Sequence, residues 1–186
     1  MSGLLFIRHA ETDMAGRFCG HSNPALNERG LQQLDALTKA ISMEPIEAIY
    51  SSDLRRAVTT ASALTMLFAF TPITMPTLRE MNFGEWEGLT WREIESRDPE
   101  YASQWMTGYP NIPAPGGERF EDFRMRVLGE VSRLVTAANH RYVAVVTHAG
   151  VMQVVLQSLC GLSAQEAWSR TQNFCCFFKY PIEAQA

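Results

Sequence analysis

Two apolar runs that both stop at a His-Ala pair constrain this chain more than any other feature. Leu4-Leu5-Phe6-Ile7 lies between Gly3 and Arg8 and leads into His9-Ala10, while Tyr142-Val143-Ala144-Val145-Val146 stops at Thr147-His148-Ala149-Gly150. Short apolar runs of this kind, ended by polar residues, predict strands buried on both faces. In open parallel α/β sheets, ligands sit outside the C-terminal strand ends where the strand order reverses. If the two strands are neighbours, His9 and His148 face one pocket.

Between these runs, helical and strand patterns alternate. Asn27 predicts the cap of a helix whose buried face carries Leu31, Leu34, Leu37 and Ile41, and Pro45 follows its end. Residues 46–50 read as a second strand. Ser51, Ser52 and Asp53 offer capping oxygens to a helix striped by Leu54, Ala57, Val58, Ala61, Leu64 and Phe68. Arg55 and Arg56 fall in its first turn, where a cation opposes the helix dipole and a bound anion would relieve the conflict. Residues 73–75 predict another strand, 118–138 the longest helix, 151–159 a short buried helix ended by Gly161, and 174–180 a last strand. This alternation argues for an α/β fold with a mostly parallel sheet.

A single domain over 1–186 is expected, with an excursion at about 81–117 that covers something and is rich in aromatics, including Trp86, Trp91, Tyr101, Trp105 and Tyr109. With 186 residues, 46% of them hydrophobic, the chain can bury one sizeable core. A net charge of -4 and a pI near 5.6 argue against a nucleic-acid or membrane surface, so an anionic substrate must be held by local positive charge. Cys19, Cys160, Cys175 and Cys176 show no C-x-x-C spacing and are expected to be reduced thiols. No cationic leader and no membrane-length apolar run is visible, so the expected location is cytoplasmic.

The chemistry concentrates on Arg8, Arg56, His9 and His148. Guanidinium forks match phosphate oxygens in a bidentate way, and together these residues make the cationic pocket that a phosphoryl group requires. A neutral histidine is a competent nucleophile, and nearby arginines keep it neutral by like-charge repulsion. Proton transfer needs a carboxylate, for which Glu11, Glu80, Glu85 and Glu87 are candidates. Two other readings compete. A metallohydrolase could use His9, Glu11, His21 and His148, but these lack tight ligand spacing and sit beside the charge of Arg8. A non-catalytic phospho-ligand-binding module would keep the arginines without needing a nucleophile and an acid together. His140 precedes a strand and is expected to be solvent-exposed.

Arg8-His9-Ala10-Glu11-Thr12 resembles the Arg-His-Gly-Glu-Thr signature of the histidine phosphatase, or phosphoglycerate mutase-like, superfamily. The resemblance extends to Gly20, Asn23, Leu26, Asn27 and Gly30, to 51–57, to 78–88 and to 147–150. It implies a three-layer α/β/α fold, with His9 as the nucleophile, and with Arg8, Arg56 and His148 on the phosphoryl oxygens. Glu80 would be the acid and then the base, and Thr12 and His21 would line the substrate site. Apart from the resemblance, Glu11 is expected to support the site residues or the loop rather than act as the acid, and Glu85 and Glu87 to be solvated loop charges. No metal or cofactor is implied. The partner is a small phosphorylated metabolite, and Trp168 with 174–178 could form a homodimer interface, although an ordinary core explains them as well.

Ala10 and Ala149 stand where glycine is frequent in this family, so their backbones must avoid positive φ or accept strain. Ala15 stands where an asparagine is frequent, which removes one side-chain contact to phosphate. His148 is followed by alanine rather than aspartate, unlike the larger acid-phosphatase branch. Residues 78–88 and 115–120 resemble α-ribazole phosphatase members of cobalamin biosynthesis. The function implied is metal-independent hydrolysis of a phosphomonoester, α-ribazole 5'-phosphate in the narrow reading. A broad-specificity sugar or metabolite phosphatase and a phosphoglycerate mutase are the alternatives within the family.

Overall fold

The computed structural model describes residues 2–138 and 141–182, and His140 lies outside them. Five strands, β1 (Gly3–Arg8), β2 (Ile46–Ser51), β3 (Ile73–Thr74), β4 (Tyr142–Thr147) and β5 (Phe177–Pro181), form one sheet in the order β3-β2-β4-β1-β5. All neighbours are parallel except β1 and β5. The first strand of the chain therefore sits beside the fourth.

Helices cover both faces. Leu5 and Ile7 of β1 and Ala144 and Val146 of β4 pack with α1 (Glu28–Ile41) and α2 (Arg55–Phe68). Leu4, Phe6, Val143 and Val145 point the other way, onto α5 (Phe120–Ala138) and α6 (Ala149–Ser158). Alternate residues of each strand serve opposite cores, which is why these runs are apolar throughout. No helix among the described residues is long and apolar enough to cross a membrane.

Several boundaries differ from the sequence reading. The longest helix begins at Phe120 rather than 118, because Glu118 is engaged with Arg126. The helix after β4 begins at Ala149 rather than 151, with His148 at its N-cap position and Gly161 beyond its end. Residues 174–176 precede the last strand, and Cys175 takes a positive φ there. β3 ends at Thr74 rather than at 75. Leu31 is exposed, so the buried stripe of α1 is carried by Gly30, Leu37 and Ile41. Gly30 is obligatory, because a Cβ there would lie 2.1 Å from the Glu11 carbonyl oxygen.

The excursion contains two helices that periodicity did not reveal, α3 (Trp91–Arg97) and α4 (Pro99–Gly108). Its aromatics form a small core of their own. Phe18, from the loop after β1, inserts its ring among Phe83, Trp86 and Trp105 at centroid distances of 5.0, 5.6 and 6.0 Å. What the excursion grips is that loop. A further helix, α7 (Ala164–Thr171), precedes β5 and leaves Trp168 exposed.

Candidate active site

The register of the sheet places the two histidines side by side. Arg8 pairs with Thr147, and the His9 N–H donates to the Thr147 carbonyl at 2.9 Å. The two rings then meet edge to face, 5.0 Å apart. His9 Nδ1 lies 2.7 Å from the Ala10 carbonyl oxygen, which can only accept, so Nδ1 carries the proton. That leaves Nε2 as a lone pair, and it accepts from Arg56 Nε at 3.2 Å. Burial, and after it the charges of Arg56 and Arg8, push the His9 pKa well below the ordinary 6.5. Desolvation therefore outweighs the like-charge repulsion expected from the sequence.

Arg56, in the first turn of α2, is fully buried, while Arg55 is exposed. Its charge is met by carbonyls of the first loop: Nη1 donates to Ser22 O at 2.6 Å, and Nη2 to Gly20 O at 2.8 Å and Cys19 O at 3.2 Å. The same loop caps the helix, since Asn23 Oδ1 accepts from the Arg55 N–H at 2.7 Å. The cap expected from 51–53 is replaced by this longer-range one. Asp53 instead holds Arg79 in a two-pronged pair at 2.7 and 2.5 Å.

His148 is buried, and its Nε2 lies 2.9 Å from Ser52 Oγ. Ser52 Oγ also accepts from the Leu54 N–H at 3.4 Å, and its hydroxyl can either donate to Nε2 or accept from it. Where it donates, Nδ1 carries the His148 proton. Among the described residues, this Nδ1 has no partner, and neither does the buried Arg8 Nε. Nη1 of the Arg8 guanidinium donates to Thr171 O at 2.8 Å and Gln172 O at 2.6 Å, over the ring of Phe174. A buried guanidinium N–H and a buried imidazole nitrogen, both without a partner beside the His9 lone pair, are costly to bury unless a ligand arrives to meet them.

Glu80 is the carboxylate that the fold brings to this end of the sheet. Its Oε1 accepts from the Met81 N–H and its Oε2 from the Gly150 N–H, both at 2.9 Å. A Cβ at Gly150 would lie 2.2 Å from Glu80 Oε1, so a larger residue there would push this carboxylate aside. Arg126 of α5 fastens the segment from behind, donating to the carbonyls of Thr77 at 2.8 Å and Arg79 at 2.9 Å while paired with Glu118. Arg79 and Arg126 were not legible as site residues, because their partners come from distant stretches of chain.

The remaining candidates separate clearly. Glu11 accepts from Asn27 Nδ2 at 3.2 Å, closing the loop, as its structural reading implies. Thr12 is buried, its Oγ1 accepting from the Met14 N–H at 3.3 Å, and His21 carries a buried Nε2 with no partner among the described residues. Glu85 is exposed, but Glu87 is not the solvated charge expected of it: it collects four backbone N–H groups, from Gly20, His21, Ser22 and Phe83. Burial pushes the Glu87 pKa up, and these hydrogen bonds more than reverse that. Ala10 and Ala149 are absent from the positive-φ residues, so neither is strained, and Ala15 is exposed.

A pH dependence of stability follows. His9 and His148 both have pKa values well below 6.5, chiefly through burial. Above pH 6.5 neither state binds these protons, so the two residues make no difference. As pH falls below 6.5, the unfolded chain takes up protons that the folded chain refuses, and stability drops by up to about 1.4 kcal/mol per pH unit for each histidine. Urea unfolding between pH 7 and 5 is expected to show this fall, and His148→Gln is expected to flatten it. A flat wild-type profile would contradict the neutral, buried pair.

Comparison with known proteins agrees with this geometry. The model of the histidine phosphatase superfamily (branch 1) matches residues 4–185. A bifunctional protein of Mycobacterium tuberculosis is 35% identical over 157 residues, 83% of this chain, but the chain spans only 43% of that relative's length. An adenosylcobalamin/alpha-ribazole phosphatase of Salmonella typhimurium is 30% identical over 167 residues, covering 89% of this chain and 83% of the relative. The crystal structure of the alpha-ribazole phosphatase from Shigella flexneri superposes with a TM-score of 0.87 at 28% identity, over 97% of this chain and 91% of that one. With paired histidines at adjoining strand ends and a family model spanning nearly every residue, the chain belongs to branch 1 of the histidine phosphatase superfamily.

Proposed function

We propose that this protein hydrolyses phosphomonoesters through a phosphohistidine on His9, without a metal. The observation that carries the reading is a neutral His9 Nε2 in a buried site where Arg8 Nε and His148 Nδ1 have no partner among the described residues. A phosphoryl group supplies the missing partners. Arg56 Nε, now on the His9 lone pair, moves to a phosphoryl oxygen as the ester enters.

In the first step, Nε2 forms a bond to phosphorus as the bond to the ester oxygen breaks, and Glu80 gives its proton to the departing oxygen. In the second, water attacks phosphorus, Glu80 takes the water's proton, and the N–P bond breaks to release phosphate. Charge on the transferring group is met by guanidinium and imidazole donors, so no metal is required for that task. Thr12 and His21, on the loop after β1, would border the substrate.

The narrower substrate, α-ribazole 5'-phosphate, is supported by the likeness to the Salmonella and Shigella phosphatases named for it. Tyr109, half exposed and 5.0 Å from Trp105, offers an aromatic edge to a flat apolar base. Phosphate release should be measured from α-ribazole phosphate, phosphoserine, 3-phosphoglycerate and several sugar phosphates, all with chelator present. Chelator-insensitive turnover with strong selectivity for α-ribazole phosphate is expected. Comparable weak release from every ester would keep the hydrolase and remove that substrate, and loss of turnover in chelator would overturn the metal-free mechanism.

A further inference from the structure

We propose that Glu87 is a positioning residue for the nucleophile, acting on Arg56 through two peptide groups of the first loop. The inference rests on the proposed role of His9 and Arg56 and adds to it the device that holds them.

The Cys19–Gly20 peptide donates its N–H to Glu87 Oε2 at 3.1 Å and accepts from Arg56 Nη2 on its carbonyl at 3.2 Å. The next peptide, Gly20–His21, repeats the arrangement, with its N–H on Glu87 Oε1 at 2.8 Å and its carbonyl accepting from Arg56 Nη2 at 2.8 Å. N–H and C=O of a trans peptide point in opposite directions. An anion therefore lies on one side of this strip of backbone and a cation on the other, with two peptide dipoles aligned between them. Each bond polarises its neighbour, so the ion pair is transmitted through the loop rather than made by contact. Ser22 extends the strip, giving its N–H to Glu87 and its carbonyl to Arg56.

Two further observations make this a built arrangement. A Cβ at Gly20 would lie 2.0 Å from the Met81 carbonyl oxygen and 2.5 Å from Glu87 Oε1, so only glycine allows the loop to come this close. Phe18, anchored among the excursion aromatics, and the backbone pair between Phe18 and residues 88 and 89 hold the loop at its other end. The excursion thereby fixes the Arg56 guanidinium, whose Nε meets His9.

Glu87→Gln keeps the shape but replaces one acceptor oxygen with an amino group that faces N–H donors. Histidine-selective 15N NMR would follow His9 Nε2, which faces Arg8, Arg56 and His148. Release of Arg56 is expected to move the Nε2 resonance and raise the His9 titration toward its ordinary range. Turnover should fall about 10- to 100-fold, mostly in kcat, with Glu85→Gln, an exposed neighbour, as the unchanged control. If the glutamine variant does not fold, Glu87→Asp keeps the charge with shorter reach and should move the same signals less. Freely exchanging Arg56 side-chain N–H protons in the wild type would overturn the proposal without any variant. An unchanged His9 resonance in folded Glu87→Gln would overturn it too, whereas a wild type that releases no phosphate would overturn the hydrolase reading and leave the Arg56 linkage standing.

Discussion

Replacing His9 with alanine is expected to cut phosphate release by about 10⁴-fold or more, while orthophosphate binding stays within about tenfold of wild type. The proposed bond to phosphorus needs the His9 Nε2 lone pair, which alanine lacks. Binding draws on other atoms. Arg8 Nε and His148 Nδ1 remain without a partner among the described residues, and Arg56 Nε joins them when its imidazole partner is removed. The backbone bond from residue 9 to Thr147 survives the substitution, so β1 keeps its place. Calorimetric phosphate titration beside steady-state turnover separates the two effects. In the wild type, rapid quenching should trap an acid-labile, alkali-stable phosphoprotein that is absent from the variant. Turnover within tenfold of wild type would place the nucleophile elsewhere.

The Glu80→Gln enzyme should divide its substrates by leaving group. Alkyl esters, whose oxygen must be protonated as it departs, are expected to slow by about 10²- to 10³-fold in forming the phosphohistidine. An aryl ester with a stable phenolate needs little protonation and should phosphorylate His9 at nearly the wild-type rate. Its second step, in which Glu80 activates water, would then lag, and phosphohistidine would accumulate. The substitution also disturbs geometry, since an amide nitrogen cannot accept from both the Met81 and the Gly150 N–H groups. Single-turnover labelling with both ester types distinguishes the effects: equal slowing would indicate displaced geometry rather than a lost acid.

The legible parts of this site were those written in contiguous chain. His9 and His148 could be read because each ends an apolar run, and the run itself fixes where the strand stops. Arg56 could be singled out by its match to the family pattern, but what surrounds it could not be foreseen, since its acceptors are loop carbonyls that any residue could supply. Glu87 was hidden for the same reason. Three of its four partners are backbone N–H groups from a loop some 65 residues earlier, and backbone leaves no mark on residue type. The missed helices did leave marks. Thr90 with Glu93, and Ser163 with Glu166, form capping boxes at the starts of α3 and α7, a four-residue signal that short helices show more strongly than periodicity.

The strand order has a consequence for how the protein is made. β1 is the first described strand to leave the ribosome, yet its partners among the described residues, β4 and β5, follow more than a hundred residues later. β2 cannot serve as a substitute, because β4 lies between them. Until β4 emerges, β1 has no strand to pair with and remains an unpaired apolar segment, while β2 has only the two-residue β3 beside it. Pairings of such long sequence separation form slowly and expose the chain to aggregation while they wait. The strand that ends at the candidate site thus waits longest for its partner, and the arrival of β4 completes both the sheet and the pairing of His9 with His148.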